Sequence, residues 1–201
     1  MVWVCWGLGI AGSIVRLIQH PSSPIQFTTP RLLGTVGGEV GLAIAFLPFL
    51  RGRGWRLTDA TLPFQFRDVL RGLGLLVATY VLYALTATIA PISLFITVGF
   101  RGSIPLWVVA IVSLINPIFE EFFYLGYTFS ALRRYSAPLA FAVAVGLRVA
   151  IHLYQGWLAL VFIAPLAVVY TLYFRRTNRI WPVIVAHAIQ DFVALAFLKP
   201  M

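Results

Sequence analysis

The chain has 201 residues, of which 61% are hydrophobic and only 10% charged, with a mean hydropathy of +0.93. These proportions exclude an ordinary soluble domain and leave no room for one beside a membrane bundle, so residues 1–201 read as one integral membrane domain. The net charge of +9 does not imply nucleic acid, because the basic residues lie between apolar runs, and the single cysteine, Cys5, excludes an internal disulfide.

Hydropathy predicts an all-α, polytopic bundle of about seven spans. The first apolar run, 2–19, contains Arg16 and lacks the basic start and cleavage motif of a signal peptide. The second, about 33–50, contains Glu39 and leads into the long polar segment Arg51 to Arg71. The third covers about 69–90, followed by a Pro/Gly-punctuated link from Pro91 to Ser103. The fourth, about 105–132, carries Glu120 and Glu121, and the fifth, about 138–155, carries Arg148 and His152. The sixth ends at Phe174, and the seventh, about 180–198, contains His187 and Asp191. No internal repeat or low-complexity segment is present.

Lys and Arg number ten in the second, fourth and sixth connections against three on the other side, namely Arg31, Arg101 and Lys199. The positive-inside rule then places the N-terminus in the cytoplasm. Trp3, Trp6, Trp55, Trp107, Trp157 and Trp181 fall at or near predicted span ends, where amphipathic rings settle. Arginine outnumbers lysine fourteen to one, a bias that suggests a GC-rich genome and a bacterial plasma (inner) membrane.

The pair Glu120-Glu121 stands inside an apolar run, where a charged side chain costs roughly 2.5–3.5 kcal/mol unless it has partners or water. At about 1.5 Å per residue, Glu120, His152, His187 and Asp191 reach depths that allow one common layer on three helices, and His187 and Asp191 share a helix face. Such a set either holds a divalent metal with an open position for water, or uses Glu as a general base with His stabilising an oxyanion. Both routes lead to hydrolysis. Pro117 is expected to kink or restart its helix, placing Glu120 in a first turn.

An EE pair on one span, a His on the next, in His152-Leu153-Tyr154-Gln155-Gly156, and HxxxD on a later one resemble the CPBP intramembrane proteases, the CAAX prenyl endopeptidases and Abi relatives. The resemblance spans a core of about 35–195. It implies a CAAX-protease-like fold and an endopeptidase acting on a membrane-associated protein or peptide, either as a metalloprotease or as a glutamate-dependent enzyme. It further implies that Glu120 activates water with His152 as partner, that His187 and Asp191 bind metal or stabilise the oxyanion, and that Glu121 supports them. Zinc, held by Glu120, His152, His187 and Asp191, is the first candidate cofactor; a metal-free route is the other.

Two positions depart from the family pattern. EExxxR is here EEFFYL, with Leu125 in place of Arg, and FxxxH has Arg148 in place of Phe. Because both positions are four residues from a site residue, Arg148 is expected to pair with Glu121, and Arg at 125 in an Arg148→Leu background to restore folding and activity. A non-catalytic scaffold or immunity factor is the alternative function, and a transporter a further one. Glu39 is divided between a structural hydrogen bond and a peripheral role, and Arg16 reads as a snorkelling interfacial residue.

Overall fold

Among the described residues, four stretches form helices long and apolar enough to cross a bilayer. The computed structural model describes residues 7–19, 25–89, 98–100, 104–156 and 159–197; Trp3, Cys5, Trp6, Arg101, Trp157 and Lys199 lie outside them. The elements in order are α1 (Gly7–Gln19), β1 (Ile25–Phe27), α2 (Thr29–Gly52), α3 (Arg67–Ile89), β2 (Val98–Phe100), α4 (Leu106–Glu121), α5 (Thr128–Leu132), α6 (Ala137–His152), α7 (Ala164–Thr177) and α8 (Trp181–Phe197). Strands β1 and β2 pair in parallel, Ile25 opposite Val98, as a small ribbon on an otherwise helical bundle.

The expectation of seven spans is corrected to four among the described residues: Thr29–Gly52, Arg67–Ile89, Leu106–Leu132 and Ala137–Gln155. Helix α1 has 13 residues, about 20 Å of rise against a hydrocarbon core of about 30 Å. The sixth run is divided between a π-helical turn, Ala159–Ile163, and the 14-residue α7. The seventh, α8, has 17 residues and packs against α3 and α4. Its apolar character serves protein packing, since Pro182, Val183, Ile184 and Ala186 are buried. Hydropathy does not distinguish a residue facing lipid from one facing another helix. Helix α3 shows the lipid-facing case, with exposed Leu73, Val77, Val81 and Leu85 at four-residue intervals.

Local chemistry sets the helix starts. Thr28 caps α2 by accepting from Arg31 N at 3.4 Å, and Ser136 caps α6 by accepting from Leu139 N at 3.2 Å; both helices have Pro in the first turn. Asn178 ends α7 in the left-handed region, with φ 51°.

The expected restart at Pro117 does not occur. Pro117 lies inside α4, so Glu120 and Glu121 occupy its last turn, and the chain continues through π-helical turns over Phe122–Tyr127 into α5. The loosened backbone is held by Thr128, whose hydroxyl donates to Phe123 O at 3.0 Å. A π segment directly after the acid pair re-aims neighbouring side chains relative to a regular helix.

The three arginine-rich connections meet at one end of the bundle. Asp68, fully buried, accepts from Arg179 Nε and Nη2, both at 2.7 Å, and from Arg71 Nη1 at 2.9 Å. Arg179, in the connection between α7 and α8, is held above its ordinary pKa by these bonds. Ile180 N donates to Thr61 Oγ1 at 2.9 Å, Leu62 N to Asn178 O at 3.1 Å, and Trp55 Nε1 to Ser130 Oγ at 2.8 Å. Trp181, at the start of α8, packs edge-on against Phe64 and Phe122. At this same end Gly126 backs closely onto Ala60; Gly72 of α3 lies against Val185 and Pro182 of α8.

Candidate active site

Helices α1, α2, α3, α4, α6, α7 and α8 line a cavity of about 1010 Å³. Glu120, His152, His187 and Asp191 all line it, so four of the five expected site residues share one space, together with Arg148. Glu121 is buried behind them at 0% exposure.

The two adjacent acids have opposite environments. Glu121 is saturated: Arg148 Nη2 donates to Oε2, and His187 Nδ1 lies 2.7 Å from Oε1. The expected Arg148–Glu121 ion pair therefore forms between α4 and α6. Arg148 is 2% exposed, and its guanidinium lies over the rings of Tyr124 and Tyr170, 5.0 and 5.4 Å from their centroids. Aromatic faces and one carboxylate together offset the cost of burying this cation. Glu120 Oε2, by contrast, is buried without a hydrogen-bond partner among the described residues, as is Arg148 Nη1.

His152 ends α6, where the chain tightens into the turn Leu153–Gln155 and leaves through Gly156 at φ 69°, a conformation that favours glycine. Its Nδ1 is 2.7 Å from Arg148 O. A carbonyl oxygen only accepts, so Nδ1 carries the proton, and in a neutral ring Nε2 is the acceptor. His187 is fixed from both sides, by Glu121 at Nδ1 and by Asp191 Oδ1 at 3.5 Å from Nε2.

Among the described residues no three His, Cys, Asp or Glu side chains form a group that could hold an ion. His187 has a carboxylate at each ring nitrogen, and Glu121 is occupied by Arg148 and His187.

Residues left aside or undecided in the sequence also reach the cavity. Glu39 is 7% exposed, lines it, and has Oε2 unpartnered among the described residues. Its signal was a lone acid in a glycine-rich apolar run. Gln190 is oriented by Tyr170, whose hydroxyl donates to Oε1 at 2.8 Å, and donates through Nε2 to Tyr83 Oη at 2.9 Å. Nothing in composition marks an amide beside Asp191 as part of this wall. Arg16, expected to snorkel to an interface, is part-exposed and also lines the cavity, its Nε donating to Tyr154 O at 3.1 Å.

The fold and the cavity define a polytopic membrane protein with paired acids and two histidines gathered within the bundle. Residues 101–193, about half of the chain, match the family model described as Type II CAAX prenyl endopeptidase Rce1-like. This match supports assignment of the chain to the CAAX-protease (CPBP, Abi) family. No curated protein and no solved structure matches it. The matched segment contains Glu120, Glu121, Arg148, His152, His187 and Asp191, whereas Glu39 lies before it.

Proposed function

We propose that the chain is an intramembrane endopeptidase in which Glu120 activates water for attack on a peptide bond of a membrane-associated protein. The observation that carries this reading is a complementary pair of buried groups on one cavity: Glu120 Oε2, an acceptor without a partner among the described residues, and Arg148 Nη1, a donor without one. The family match supports the intramembrane hydrolase class.

In the proposed reaction, water gives one hydrogen bond to Glu120 and the other to His152 Nε2. Glu120 takes the proton as the water oxygen bonds to the peptide carbonyl carbon. Negative charge then gathers on the carbonyl oxygen, where a donor fixed in advance is worth most. Arg148 Nη1 is the proposed donor, with His187 and Asp191 adjoining. Glu120 returns the proton to the amide nitrogen as the C–N bond breaks, yielding a carboxylic acid and an amine. Glu121 acts indirectly, by fixing Arg148 and His187.

Replacing Glu120 by Gln should abolish cleavage of a membrane-tethered reporter while the protein still folds, and retained cleavage would overturn the proposal. Elemental analysis decides the cofactor. Near-stoichiometric zinc in wild type that is lost in His187→Ala and Asp191→Ala would replace this route with a metallopeptidase one.

The ten arginines of the second, fourth and sixth connections favour a cytoplasmic location for that end of the bundle. Because Ser13 and Arg16 bond successively to Ile151 O and Tyr154 O, α1 runs beside α6 in the same direction, with its start toward the cytoplasmic face. A bacterial plasma membrane fits the arginine bias.

A further inference from the structure

Helix α1 lies outside the matched segment and is shorter than a span, yet it borders the site through the backbone around His152. Ser13 Oγ, buried at 4% exposure, donates to Ile151 O at 2.7 Å, and Arg16 Nε donates to Tyr154 O at 3.1 Å. These carbonyls belong to the residue before His152 and to the second residue after it, in the last turn of α6 and the tight turn Leu153–Gln155 that follows. The last carbonyls of a helix lack intrahelical donors, and helix ends fray where nothing else supplies them. Such an end also carries partial negative charge, which the Arg16 guanidinium offsets. Gly9 backs directly onto the Ile151 side chain, so α1 lies flush against the end of α6.

The orientation of His152 depends on this helix end. Its Nδ1 donates to Arg148 O one turn back, and while that bond holds Nε2 is kept as the acceptor of the neutral ring. The Tyr154 ring stacks on it, with 6.2 Å between centroids and 25° between planes. Fraying at 151–154 would release both contacts, whereas two donors from a separate helix hold the backbone on either side of His152. Resting on the endopeptidase reading, we infer that α1 is a positioning element for the reaction: Ser13 and Arg16 splint the end of α6 and so fix the His152 ring that takes the second hydrogen bond of the attacking water. Both act through backbone carbonyls. Removing these donors leaves Glu120 and the Glu121–Arg148 pair in place and loosens His152 alone.

Magnetic resonance of the histidine ring nitrogens tests this without requiring cleavage, because the chain has three histidines, His20, His152 and His187, whose signals His→Gln variants assign. In wild type, His152 should show one neutral tautomer, protonated at Nδ1. Ser13→Ala and Arg16→Gln, singly and together, should draw its two ring nitrogens toward a tautomer average while the His187 signals stay in place. Ser13→Thr, which keeps the hydroxyl, should retain the wild-type pattern. On a membrane-tethered reporter the double variant should lose about 10- to 100-fold in kcat with KM unchanged, the scale expected of a misplaced catalytic group. Ile18→Ala, on the exposed side of α1, is the control and should change neither readout. His152 signals unmoved by loss of the donors, or moved equally by Ile18→Ala, would overturn the inference, and the single variants decide it if the double one does not fold. A wild type that shows the expected His152 pattern and cleaves no reporter counts instead against the endopeptidase reading.

Discussion

Arg148 on α6 reaches across to Glu121 on α4, and the same carboxylate faces His187 Nδ1 on α8 at 2.7 Å. One acid thus ties together the three helices that carry the other candidate groups. The two adjacent glutamates differ in place: Glu121 lies behind the cavity, bonded to Arg148 and His187, and Glu120 lines it.

Removing Arg148 should leave Glu121 charged and buried beside a lost partner. Arg148→Leu is expected to destabilise by about 3–5 kcal/mol, read from thermal unfolding in detergent. Adding Leu125→Arg should return most of that stability by supplying a guanidinium one turn along from Glu121. Cleavage, which the motif exchange alone would restore, should instead stay low, because the proposed oxyanion donor on α6 is still absent, and loss of one such donor costs about 10²–10³ in rate. Full recovery of cleavage would remove Arg148 from the chemistry and leave it as Glu121's partner.

Glu120→Gln and Glu121→Gln should separate activity from stability. The first removes the proposed base at a position whose Oε2 has no partner among the described residues, so the melting temperature should hold or rise while cleavage disappears. The second weakens contacts to both Arg148 and His187, so the melting temperature should fall. Parallel melting curves and reporter cleavage for the two variants check this.

Asp68 closes the arginine-rich end by accepting from Arg179, Arg71 and Gln65 N. Asp68→Ala should lower the unfolding temperature and make residues 61–65 more accessible to protease. Unchanged proteolysis of this segment would show that packing alone seals the end.

Gly72 allows α3 and α8 to approach closely, because a Cβ there would come within 2.7 Å of Val185 and 2.8 Å of Pro182 O. Gly72→Ala should destabilise by about 1–3 kcal/mol through overpacking. Gly34→Ala, with open space at its Cβ position, should not, and the difference in melting temperature between the two provides the check.

Composition and run length by themselves determined that this chain is helical, polytopic and membrane-embedded, because apolar segments in lipid must satisfy their backbone internally. The acids, histidines and arginine of the site were also legible, since ionisable groups inside apolar runs are costly enough to stand out. The same pattern supported the Arg148–Glu121 exchange, because both departures from the family motif fall one helical turn from a site residue.

Only the tertiary structure decided which apolar runs face lipid. Helix α8, with 17 residues, and α7, with 14, are shorter than the four spans and contribute Pro182, Val183, Leu166 and Tyr170 to the buried interior, so apolar runs alone overcounted spans. It likewise decided that α4 continues through Pro117, that Glu121 is saturated while Glu120 is not, and that Glu39, Gln190 and Arg16 reach the cavity. These properties depend on which helix lies beside which and on the rotation each adopts. Residues far apart in the chain set both, and no local pattern encodes them.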